Sequence, residues 1–155
     1  MKPFRLIYAL LPLLLVIGCS DDNSPEQQIR ERVRQIELAA EAREKLELSG
    51  IISDDYQDDH NRVAKDVRKI IVGLIIRNKQ IHLLAKVRSV TMASETEGTA
   101  VVLMGMLGQQ EADQLPLPMI RAELYRFSLT FRNEGGEWNL INSEAERASP
   151  EDLLE

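Results

Sequence analysis

The residues with the clearest chemical potential in this 155-residue chain stand in one stretch, Ser53-Asp54-Asp55-Tyr56-Gln57-Asp58-Asp59-His60, where acids, a phenol and an imidazole gather. Oxygen-rich loops bind hard cations. The helix-loop-helix calcium motif, however, alternates its acids, centres on Gly and ends on Glu, whereas here the acids come in adjacent pairs with no Gly. A zinc site would require more imidazole or thiol than His60 and the distant His82 supply. No metal or cofactor is therefore expected, and Asp58 and Asp59 are read as caps favouring the positive end of the next helix. For acid–base chemistry the candidates are Asp55 and Tyr56 here, Tyr125 further on, and His82 with Arg88 between them. Each has a plainer role. Tyr125, Phe127 and Trp138 suit a core or a pocket wall, and His82 alternates in step with Lys86 on a water-facing side. No set has the spacing that names a reaction, so the residues favour binding over catalysis.

The elements that must position these residues follow from periodicity. Ser24-Pro25-Glu26-Gln27 opens a helix with a good cap and a proline suited to the first turn. Ile29, Val33, Ile36 and Ala40 then recur at helical spacing, and the pattern runs to Ser49-Gly50 with a break near Glu44. A second apolar helix is expected from about Asn61 to Asn78. Beyond it the period becomes two: Ile81, Leu83, Ala85 and Val87 form one strand face, with a bulge near Ser89 because Val90 and Met92 have the other parity. A turn at 95–98 leads to a strand over Thr99 to Leu107. Gly108 to Pro118 reads as a loop over a pocket mouth. A third strand follows, with a parity switch between Leu124 and Tyr125, and Gly135-Gly136 closes a hairpin into a last strand from Trp138.

The second strand is apolar on both faces. Val101, Leu103 and Leu107 form one and Val102, Met104 and Met106 the other, so both need cover, either from a partner subunit or from a returning element. Val101, Leu103 and Leu107 are thus interface candidates, and a homodimer is the simplest arrangement.

The chain opens with Lys2 and Arg5, an apolar run from Leu6 to Ile17 that includes Pro12, and Gly18 before Cys19. The run is shorter than the roughly 20 residues of a membrane-crossing helix and reads as a signal peptide over 1–18. Val16-Ile17-Gly18-Cys19 resembles the bacterial lipobox, which implies a lipid on Cys19, a tether over 19–24 and attachment to the membrane. Ser20, rather than an Asp, follows the Cys, which implies the outer membrane facing the periplasm. The chain has 19 Lys and Arg against 25 Asp and Glu, and Lys2 and Arg5 leave with the signal. That acidic balance argues against a nucleic-acid partner. Residues 25–146 suffice for one core, and 147–155 read as an acidic tail.

The order helix, broken helix, helix, then a meander of long bent strands predicts an α+β fold whose N-terminal helices pack on a curved, mainly antiparallel sheet enclosing a conical pocket. Here, through EQQIRERV, SDDYQD and ELYRFSLTFRNEGGEW, the chain resembles the nuclear transport factor 2-like superfamily, in particular its SnoaL-like branches. That resemblance implies either a pocket acting on a hydrophobic small molecule by acid–base chemistry or a domain without chemistry; fold alone does not choose. The sequence favours a non-catalytic envelope lipoprotein binding a small apolar ligand or a protein partner. The alternatives are a SnoaL-like enzyme and a structural module of an envelope complex.

Overall fold

The computed structural model describes residues 23–110 and 121–153. Three helices precede the sheet: α1 (Pro25–Glu41), α2 (Lys45–Gly50) and α3 (Ala64–Arg77). Four strands follow, β1 (Asn78–Ser94), β2 (Glu97–Gln110), β3 (Arg121–Glu134) and β4 (Glu137–Arg147), paired antiparallel in chain order. A short 3-10 turn, Pro150–Leu153, ends the described chain.

The cap at Ser24 forms as the sequence predicts, its hydroxyl accepting from the Gln27 N–H at 3.3 Å. The break after α1 is made by Arg43, which takes a left-handed φ of 59°. Its guanidinium bonds the Ile75 and Lys79 carbonyls at 2.9 Å each, tying the α1–α2 corner to the end of α3. α3 starts later than expected. Asn61 has φ 56°, which a helix cannot accommodate, and the first-turn carboxylate that meets the Val63 N–H is that of Asp66, at 3.4 Å. Asp58 and Asp59 therefore do not cap this helix.

The bulge expected at Ser89 is present, as a register shift between Val87 and Ser89. The parity switch expected in the third strand is absent: β3 pairs with β2 without a break, placing Leu124 opposite Gly105 and Tyr125 opposite Met104. The irregularity lies in β4, where Thr130 pairs with Asn142 and Phe131 with Leu140, leaving Ile141 as the extra residue. It turns Trp138, Leu140 and Ser143 to one face.

Both free edges of the sheet are covered. Glu37 of α1 accepts the Ala85 N–H of β1 at 3.1 Å, and residues 51–57 run along β4, with bonds from Ser53 N to the Leu140 carbonyl and from Leu140 N to that of Ile51. The core lies between helices and sheet: Ile29 and Val33 of α1, Tyr56 of the connection, and Ala100, Val102, Leu129, Phe131 and Trp138 of the strands are buried there. A smaller cluster of Ala39, Leu48, Ile75 and Ile81 closes the far ends of α1 and α3.

At the tight end of this core Gly98 faces Phe131, and a methyl group on it would stand 2.7 Å from Met92 Sδ and 2.8 Å from Ile29 Cδ1. Gly98→Ala is expected to cost about 2 kcal/mol through overpacking, read as a lower denaturant midpoint at unchanged slope.

Candidate functional site

The structure scatters the sequence candidates. Asp55 is exposed, its side chain 78 % accessible, and pairs with Arg132 at 3.5 Å. His82 points away from the core, 71 % accessible, 3.9 Å from Glu41. Arg88 is the residue passed over in the β1 bulge. Tyr56 and Tyr125 lie on the helix side of the sheet, and they behave differently.

Tyr56 is part of a buried polar knot. Its phenol donates to Asp58 Oδ2 at 3.1 Å, so the 2.6 Å bond to Ser143 Oγ has the serine as donor. The Asp58 side chain is wholly inaccessible. Oδ1 accepts the His60 and Arg62 N–H groups at 2.9 and 3.0 Å, while Oδ2 also accepts Arg62 Nε at 2.7 Å. Burial is the largest influence on this carboxyl and would raise it. The bonds from Arg62, His60 and Tyr56 together outweigh that and hold it below the usual Asp value. Burial likewise pushes the Tyr56 phenol above its ordinary value, against the bond from Ser143. Asp58 thus stays charged and Tyr56 neutral, with the acceptor directions of the carboxylate occupied. The arrangement fastens the 53–63 connection to β4.

Tyr125 stands opposite Met104 with its ring 6.1 Å from that of Phe127 at a 54° tilt. Burial along this face is graded. Phe131 and Leu129 of β3 and Ala100 and Val102 of β2 are buried, whereas Phe127, Tyr125 and Met104 further along are half-buried. α3 adds half-buried Val67 and Ile71 to this core and packs chiefly on α2 and β1 rather than the middle strands. The helix side thus carries a band of partly buried apolar side chains packed against the core, Val67 and Ile71 of α3 with Ala85, Met104 and Phe127 of the strands.

A concavity of about 370 Å³ lies between α1 and the β3–β4 hairpin. Arg32 forms its base, donating to the Trp138 carbonyl at 2.7 Å, to Gln35 Oε1 at 2.9 Å and to Asn139 Oδ1 at 3.3 Å. Gln28 accepts the Trp138 indole N–H at 2.8 Å. Nothing in one sequence signals that β4 will come to lie across Arg32. Ser143 was missed because a bulge decides which way it points.

Among the described residues no group of three or more His, Cys, Asp or Glu side chains is placed to hold a metal ion. None of their helices is long and apolar enough to cross a membrane. Cys19 and the Gly108–Pro118 loop beyond Gln110 lie outside the described residues.

Helices followed by a curved four-stranded antiparallel sheet make this an α+β fold of the nuclear transport factor 2-like type. Among solved structures it is similar to a proposed scytalone dehydratase from Novosphingobium aromaticivorans, with a TM-score of 0.67 and 11 % identity over 79 % of this chain and 83 % of that one. A proposed dehydratase of the nuclear transport factor 2-like family from Streptomyces avermitilis gives 0.67 and 13 %, over 79 % and 95 %. A ketosteroid isomerase-like protein from Erwinia carotovora atroseptica gives 0.64 and 10 %, over 83 % and 99 %. No protein-family model and no curated protein matches the sequence. At these identities the likeness defines the fold.

Proposed function

We propose that this chain is a lipid-anchored envelope protein whose domain binds a small apolar molecule between α3 and the sheet without converting it. The observation that carries the reading is the half-buried band of Val67, Ile71, Ala85, Met104 and Phe127. Apolar walls are the usual makeup of a small-molecule pocket. The reading without conversion is favoured by Asp58, which is already held by Arg62, His60 and Tyr56. Lipid on Cys19 rests on Val16-Ile17-Gly18-Cys19, and two or more acyl chains would hold the protein stably at a membrane.

One experiment reads both parts. The full chain is produced in a bacterium, extracted in mild detergent and weighed intact and under native conditions. The expected result is a mature chain starting at Cys19 with added acyl mass, carrying a reproducible small adduct that Ala85→Phe reduces at least tenfold by filling the band. A native chain without adduct overturns the binding reading; an unmodified Cys19 overturns the anchor.

A further inference from the structure

We infer that residues 148–153 are a strap that the protein keeps closed over the outer face of its sheet, and that one side chain, Asp152, holds it shut. Leu103 is 1 % accessible although it sits on the face away from the helices and belongs to neither core cluster. Its direct cross-strand neighbours on that face are Lys86 and Arg126. Polar stems at two sides shade a Leu but leave it open from above, and in an uncovered sheet it would be partly wet. The chain's own end comes back beside this place. After β4, Ala148 N bonds the Leu124 carbonyl at 2.9 Å, and the turn that follows returns over β3. There Asp152 Oδ1 accepts from Arg126 Nη2 at 2.6 Å while Oδ2 accepts the Ser149 N–H at 2.6 Å. The same Arg126 is met by Glu146 at 3.1 Å, which fixes its guanidinium beneath the turn.

The cover that a doubly apolar β2 demands is thus supplied from within the chain. It is also shallow: the carboxylate that shapes the turn is the one that docks it, so losing Asp152 both unfolds the turn and frees it from Arg126. Opening would uncover the Val101–Leu103 strip without disturbing the helix-side core. The occupant of the face is this chain's own C-terminal segment, and anything else that seats there must displace it.

The test is thiol labelling in the chain from Ser20 onward, which contains every described residue and omits Cys19, the one cysteine of the sequence. Leu103→Cys places a thiol under the strap; Val101→Cys serves if the first variant does not fold. With the strap intact the thiol should react slowly, and adding Asp152→Ala should speed labelling at least tenfold while Trp138 fluorescence stays native. Gly98→Ala, which loosens the opposite side of the sheet, should leave the rate within twofold. Equal rates with and without Asp152, or acceleration by Gly98→Ala as large as that by Asp152→Ala, would overturn the strap.

Discussion

Replacing Phe131 by Ala is expected to destabilise the protein by about 4 kcal/mol, the largest single effect predicted for this chain. Phe131 is inaccessible, lies between Gly98 of β2 and Leu140 of β4 in register, and forms the tight end of the core. Gly98 has no side chain to move into the vacancy, and Leu140 is held by its backbone bond to Ile51, so the cavity would persist. Domains of this size are stable by roughly 5–15 kcal/mol, so the variant should fold but melt far lower. Phe127→Ala, four residues earlier on the same face, removes the same ring from a half-buried position and should cost about 2 kcal/mol. Denaturant unfolding followed by the fluorescence of Trp138, the one Trp in the chain, measures both. Equal losses would mean that Phe127 is packed as tightly as Phe131, and that the half-covered band is closed in solution.

Removing Asp58 comes next, at about 3 kcal/mol for Asp58→Ala, because four donors lose their acceptor at once and the Tyr56 proton can turn only to Ser143. Asp58→Asn should recover only part of this. An amide oxygen can serve the His60 and Arg62 N–H groups, but the amide nitrogen would then face Arg62 Nε, donor against donor. Exposed Asp55→Asn should change stability by under about 0.5 kcal/mol. The same knot sets the pH dependence. A carboxyl lowered by folding contributes fully above its unfolded value and less as pH falls through its folded one, so stability should decline below about pH 4. Glu134, lowered by the bonds from Asn139 and Ser53, adds to the same arm. Tyr56, raised by folding, contributes fully below the unfolded phenol value and loses that contribution as pH rises past about 10. Tyr56→Phe should therefore flatten the alkaline arm and Asp58→Asn the acid one, as measured by thermal melts across pH.

Much of the fold was legible because long-range order repeats local order. The α1 stripe of Ile29, Val33 and Ile36, the period-two run from Ile81 and the Gly135-Gly136 hairpin each depend on neighbouring residues, and each was placed correctly. What failed depended on partners distant in sequence. Asp58 and Asp59 stand where helix caps stand, but the left-handed Asn61 separates them from α3, and Asp58 turns to Tyr56 and Arg62 instead. The apolar alternation that suggested a parity switch in β3 is a straight strand with Leu124 on its outer face; the irregularity sits in β4, between Leu140 and Asn142. The doubly apolar β2 calls for cover on both sides, and Val102 on its helix face and Leu103 on its outer face are both buried, but a sequence cannot say what covers the outer one. Leu103 is 1 % accessible beside Arg126, which the tail's Asp152 meets, and Val101 two residues before it is half-buried.

The reading of the site was less accessible still. Asp55, Tyr56, His82 and Tyr125 were grouped by chemistry, and the fold sends two of them to water, one into a satisfied knot and one to the apolar band. What separates a binder from an enzyme here is whether any proton-transfer group on that wall is free to act.

The most direct measurement follows from that. The molecule that co-purifies with the chain is extracted, returned in excess to fresh protein, and followed by chromatography that separates isomers as well as products of changed mass. Binding without conversion predicts uptake that saturates at one molecule per chain, with the recovered molecule unchanged. Conversion beyond one equivalent, abolished by Tyr125→Phe while the fold and uptake persist, would contradict the account and make this domain an enzyme.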